Sequence, residues 1–96
     1  IMEYLVLDVG GSAIKYALMN DELEMLEKGK VPTPKEGLEE FKQAVQSIYQ
    51  KYQERVDGIA MSLPGLINKH TRLVQVPGAL EYNLGVDIYV KLNMEV

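Results

Sequence analysis

The sequence predicts an α/β domain built on a mixed sheet, in the order β-β-β-α-β-(β)-α. Three features carry this reading: near-continuous apolar runs at residues 4–7 and 56–63, a stretch between them with apolar residues every three or four positions, and a Gly-Gly pair after the first run. Short apolar runs read as central strands buried on both faces, and a period near 3.6 reads as a helix packed on a sheet. A crossover helix implies that the strand after it lies parallel to the first.

Tyr4-Leu5-Val6-Leu7 is the first strand and Ile14 to Met19 the second, joined across Gly10-Gly11. Asn20-Asp21 supplies a turn. Residues 23–31 then alternate apolar and charged side chains loosely, and charges of both signs suit a strand at the sheet edge, where they discourage pairing with another chain. The first three strands therefore form an antiparallel meander. Thr33-Pro34-Lys35-Glu36 reads as a helix start, with Thr33 as N-cap, Pro34 at the first helical position and Glu36 completing a capping box. The helix presents Leu38, Phe41, Val45, Ile48 and Tyr52 as one stripe, and Tyr49 and Tyr52 read as stripe residues rather than a stacking platform. A short strand near residues 73–76 and a helix near residues 86–92 complete the order.

Ninety-six residues make one domain at most, spanning residues 2–96 once Ile1, ahead of Met2, is set aside as a leftover of expression. Hydrophobic residues at 47% and charged residues at 25% are ordinary globular values, so the chain should fold. Ten basic against 14 acidic residues, a net charge of −4, argue against a surface that grips nucleic acid. No apolar run approaches the ~18–20 residues of a membrane span, and the N-terminus lacks a signal-peptide layout. Cysteine is absent, which excludes disulfides and thiolate metal sites in this chain and fits a reducing cytoplasm.

The chemistry concentrates at the first hairpin, Asp8-Val9-Gly10-Gly11-Ser12-Ala13-Ile14-Lys15. Gly10 and Gly11 can take positive φ and carry no Cβ, which lets a phosphoryl group approach the main-chain N–H groups. Ser12 adds a hydroxyl, Lys15 a point charge and Asp8 a hard oxygen for Mg²⁺ or its waters. The spacing fits neither a P-loop nor a dinucleotide fingerprint. A tight hairpin with polar strand ends remains the alternative, since Gly-Gly is a common turn. A second cluster leaves the fourth strand as Leu63-Pro64-Gly65, and Pro77-Gly78 repeats the device; both read as type II turns presenting rigid backbone groups to sugar hydroxyls, or as turns alone. Both clusters fall at the C-terminal ends of central strands, where ligands sit on such sheets.

Taken together, Asp8 to Lys15 resembles the phosphate-1 motif of the ROK family (repressor, open reading frame, kinase) in the actin, hexokinase and Hsp70 superfamily. Ser62-Leu63-Pro64-Gly65-Leu66-Ile67-Asn68 resembles that family's Ser-x-Pro-Gly segment, and Pro77-Gly78-Ala79-Leu80 with Tyr82-Asn83 is similar to the loop before its substrate-contacting stretch. The resemblance implies the N-terminal lobe of a ribonuclease-H-like (actin-like ATPase) sugar kinase, transferring phosphoryl from MgATP to a hexose or N-acetylhexosamine. It implies that Asp8 lies at the Mg²⁺–phosphate end, that Gly10, Gly11, Ser12 and Lys15 line the phosphates, and that Gly65, Leu66 and Gly78 border the sugar. Ser12 stands where the family more often has Thr, which keeps the hydroxyl; Asn68 replaces a commoner Asp.

The resemblance also implies that the general-base aspartate follows the strand near Met94-Glu95-Val96, with the zinc site and second lobe later still. No catalytic residue and no zinc site are therefore expected in this chain, which alone should be nearly inactive. The expected partners are sugar, nucleotide, the missing C-terminal lobe and a possible second copy, with no nucleic acid and no membrane. Two other readings compete. A sugar-sensing ROK-type repressor would carry a helix-turn-helix ahead of the glycine motif, whereas Met2 starts almost directly on the first strand. A stand-alone binding module predicts a fully covered sheet; the kinase reading predicts an unfilled face or edge. His70, in a polar loop, reads as a solvated residue, and Asp87 and Glu81 are given no role.

Overall fold

A computed structural model describes residues 2–67, 70, 71, 73–76, 78, 80–83 and 85. Four strands form one sheet: β1 (Glu3–Val9), β2 (Ala13–Asn20), β3 (Met25–Pro32) and β4 (Gly58–Ser62), in the spatial order β3-β2-β1-β4. The first three pair antiparallel, and β4 lies parallel to β1 after the crossover through α1 (Leu38–Tyr52). The meander, the parallel fourth strand and the placement of charged β3 at the edge all follow the sequence pattern. A second, two-stranded sheet pairs β5 (Leu66–Ile67) with β6 (Val74–Val76). β6 matches the expected short strand within a residue, whereas β5 was not expected. The 86–92 helix lies outside the described residues.

The core forms between one sheet face and α1. Phe41, Val45, Ile48 and Tyr52 are buried at the spacing of a single helix stripe and share one core with Leu5, Leu7, Val9, Ile14, Leu18 and Ile59 from the sheet and with Val74 and Leu80. Each such side chain contributes roughly 1.5–3 kcal/mol relative to exposure. Tyr49 packs against this core at the stripe edge, as expected. Tyr52 reaches back to the sheet, its ring 6.2 Å from that of Tyr16 and its hydroxyl 3.4 Å from Glu27 Oε1.

Two local expectations fail. β1 is not buried on both faces: Leu5, Leu7 and Val9 are buried, but Tyr4 and Val6 are half-buried and Asp8 is exposed. β4 behaves likewise, with Ile59 buried while Ala60 and Ser62 are exposed. An apolar run records that side chains are hydrophobic, not that both faces of the strand are covered. The second failure is the helix start. The N-cap is Gly37, without a side-chain cap, and Thr33 is not a cap at all. It is buried, and both its hydroxyl and its N–H bond to the glycine hairpin instead.

Candidate functional site

Strand register lines up one polar row across the sheet: Ser62 on β4, Asp8 on β1, Lys15 on β2 and Lys30 on β3 are direct cross-strand neighbours. Directly opposed residues share a face, here the one turned away from the α1 side, where Leu5, Leu7 and Val9 are buried. Ser62 Oγ donates to Asp8 Oδ1 at 2.9 Å, which orients the carboxylate; among the described residues nothing else bonds to it. The ion pairs among those residues belong to Arg55; Lys15, between Asp8 on one side and Lys30 on the other, makes none within that set. Like charges opposed across strands are unfavourable unless something anionic lies between them. Below the row, Val6, Ala17, Met19 and Met25 floor an open concavity of about 530 Å³ rimmed by Lys28 and Lys30.

The row ends at the hairpin between β1 and β2. Gly10 N–H donates to Ala13 O at 2.9 Å and closes the turn. That corrects the expectation that Gly10 offers its amide to a phosphate: the group is already consumed, and position 10 contributes the absence of a side chain, since a Cβ there would lie 3.2 Å from Ala13 O. Neither Gly10 nor Gly11 adopts the left-handed backbone expected of the pair. The hairpin carbonyls are all held from one side. Thr33 Oγ1 donates to Gly10 O at 2.8 Å, Lys35 Nζ to Gly11 O, and Thr33 N–H to Ser12 O at 3.0 Å. Among the described residues none accepts from the N–H of Gly11 or Ser12.

The second cluster sits on the same rim, because Ser62, beside Asp8, leads directly into Leu63-Pro64-Gly65. Gly65 has φ 94° and Gly78 φ 63°. The Gly65 value is that of the third position of a type II turn, as its sequence predicts. A Cβ on Gly78 would stand 3.0 Å from Pro64 Cβ and 3.1 Å from Gly65 N, so the two turns are packed against each other. Leu66 opens β5 opposite Val76. Beyond Gly78, Leu80 is buried and Tyr82, in a 3-10 turn over Glu81–Asn83, lies tilted against Phe41 with ring centroids 5.9 Å apart. Its hydroxyl donates to Pro34 O at 2.9 Å, and burial, then the charge of Glu36, pushes the phenol above its ordinary range. His70 is exposed. Asn68, Pro77, Ala79 and residues 86–96, Asp87 among them, lie outside the described set.

Asp8, Ser12 and Lys15 thus gather at one end of β1 and β2, and Gly65 with Gly78 at the neighbouring rim. Ser62, Thr33 and Lys35 were missed. Ser62 was legible in principle, as the last residue of a strand parallel to β1 and at the same level as Asp8. Thr33 and Lys35 carried a local helix-start signal that tertiary bonding overrode.

An antiparallel three-stranded meander, a crossover helix and a parallel fourth strand, with a glycine hairpin at the carboxyl end of β1, define a ribonuclease-H-like α/β lobe of the actin-like class. The chain belongs to the ROK family, whose model matches residues 4–96. It is 34% identical over 99 residues to an N-acetyl-D-glucosamine kinase of Haemophilus influenzae, covering 97% of this chain and 33% of that protein. Among solved structures it resembles a ROK family protein from Streptococcus pneumoniae in complex with sucrose, with TM-score 0.79 and 32% identity over 96% of this chain and 31% of that one. A ROK family glucokinase from Streptomyces griseus, in complex with glucose and AMPPNP, shares the fold at TM-score 0.79 and 18% identity, over 95% of this chain and 29% of that one. The chain therefore spans about a third of the length of the curated relatives it matches.

Proposed function

We propose that this chain is the phosphate-binding lobe of an ATP-dependent sugar kinase, and that an N-acetylated amino sugar is the first substrate to test. The observation that carries the reading is the row Ser62-Asp8-Lys15 running into a glycine hairpin with two amides unspent among the described residues. Membership of the ROK family supports it. The amino sugar is suggested by relatives named N-acetyl-D-glucosamine kinase at 27–34% identity.

In this reading the Gly11 and Ser12 N–H groups and the Ser12 hydroxyl hold phosphoryl oxygens, and Lys15 supplies the positive charge that phosphoryl transfer requires. An exposed carboxylate, oriented by a hydroxyl and with an oxygen to spare among the described residues, fits a hydrated magnesium carried by phosphates. Asp8 would hold such an ion, which would neutralise charge on the transferred group. Gly65, Leu66 and Gly78 border the sugar, and the general base is assigned to no residue of this chain. A sheet face left open among the described residues favours this reading over a self-contained binding module. The repressor reading draws no support from the curated relatives, which are named as kinases.

The test is ATP-dependent phosphorylation of a panel of hexoses and N-acetylhexosamines by the protein made from its complete coding sequence. Asp8→Asn and Lys15→Ala should each lower kcat/KM by about 10²–10³, the range for losing one transition-state charge contact, with unchanged unfolding midpoints. Unchanged kcat/KM in both variants would remove the assigned roles.

A further inference from the structure

The segment after β3, which the sequence predicts as a helix start, instead reaches over to the hairpin. Thr33 is only 3% exposed, and its hydroxyl and N–H, together with Lys35 Nζ, donate to three successive carbonyls, those of Gly10, Ser12 and Gly11. A trans peptide is planar, so the carbonyl of one residue and the N–H of the next point in opposite directions. Fixing the Gly10 and Gly11 carbonyls toward residues 33–35 therefore turns the N–H groups of Gly11 and Ser12 the other way, as donors of the kind that receive anions. A two-residue hairpin ordinarily closes with both bonds between its flanking residues. Here Gly10 N–H to Ala13 O is made but the reciprocal bond is not, and Gly10 O accepts from Thr33 Oγ1 instead. Residues 33–35 are pinned from behind by the Tyr82 hydroxyl on Pro34 O, so the restraint does not depend on the hairpin itself.

We propose that Thr33, assisted by Lys35, is a positioning residue that aims the hairpin amides at the phosphoryl groups of a bound nucleotide. The proposal rests on the kinase reading above, and its test separates the two.

The protein from its complete coding sequence is assayed for MgADP affinity, for KM toward ATP and sugar, and for its unfolding midpoint. Thr33→Val keeps the buried volume and the backbone N–H but removes the hydroxyl. It should weaken MgADP binding about 5- to 10-fold, the worth of about one hydrogen bond, and raise KM for ATP while KM for sugar stays within about 2-fold. Thr33→Ser, which retains the donor, should return MgADP binding to within about 2-fold of the parent. Lys35→Met, at an exposed position, should weaken it about 2- to 3-fold without moving the unfolding midpoint. Parent affinity in both Thr33→Val and Lys35→Met overturns the proposal, as does an equal rise in both KM values with a lowered midpoint. Should Thr33→Val not fold, Lys35→Met decides alone by the same criterion. A parent protein without ATP-dependent sugar phosphorylation overturns the kinase reading, and this proposal with it.

Discussion

At the scale of single residues, the site is set by which polar groups are already spent. Among the described residues, Gly10 keeps no free N–H, whereas Gly11 and Ser12 do, and Asp8 keeps an oxygen because Ser62 bonds to the other. Gly78 is the most constrained of the rim residues, for two separate reasons: its φ of 63° is costly for any residue with a Cβ, and that Cβ would press on Pro64 and Gly65. Gly78→Ala should therefore cost about 1–2 kcal/mol from the backbone alone, measured by urea unfolding. On the proposed function it should raise KM for sugar more than KM for ATP. A change of under about 0.5 kcal/mol would mean that the turn relaxes freely. Residue types alone identified Asp8, Ser12 and Lys15 as a group. Nothing in them shows that Gly10 spends its amide, since that depends on the partner residue across the turn.

At the scale of elements, α1 and the sheet are held by one apolar stripe, and Tyr52 ties that stripe to the edge strand. Burial first, then the charge of Glu27, raises the Tyr52 phenol above the ordinary 10.0. The sign follows from proton counting. Below pH 10 the phenol is protonated in both folded and unfolded chains, so the pH has no effect through it. Above pH 10 the unfolded chain ionises first and binds fewer protons, so stability is lost as the pH climbs toward the raised folded value. Unfolding midpoints measured between pH 8 and 11 should fall above about pH 10, and Tyr52→Phe should flatten that fall. An equal slope in both proteins would place the titration elsewhere. Phe41, fully buried in the same stripe, should cost about 3–5 kcal/mol when changed to Ala, read from denaturant unfolding. The stripe was legible because a period of 3.6 residues is a local property. The helix start was not: Thr33-Pro34-Lys35-Glu36 is a sound capping sequence, but Thr33 donates to hairpin carbonyls 21 to 23 residues away in the chain, a long-range competitor invisible to a local pattern.

At the scale of the whole molecule, the sheet is covered on one face only among the described residues. The other face carries Val6, Ala17, Met19 and Met25 beside three lysines, an apolar floor with a cationic rim. Such a surface should take up an anionic hydrophobic dye such as anilinonaphthalene sulfonate. The 96-residue chain should show strong dye fluorescence, Met19→Lys should reduce it severalfold, and the product of the complete coding sequence should show little. Dye binding that Met19→Lys leaves unchanged would locate the exposed apolar surface elsewhere. No described helix is long and apolar enough to cross a membrane.

By itself the sequence determined the strand order of the meander, the helix stripe, the parallel fourth strand and the gathering of Asp8, Ser12 and Lys15 at one hairpin. All of these rest on period, turn chemistry and the handedness of crossovers, which act over a few residues or through chain connectivity. Only the tertiary structure decided which sheet face is covered, that Ser62 orients Asp8, that Gly65 and Gly78 abut, and that Thr33 holds the hairpin rather than capping a helix. Those depend on hydrogen-bond partners and packing neighbours brought together from distant positions, and a polar group takes whichever partner the fold delivers.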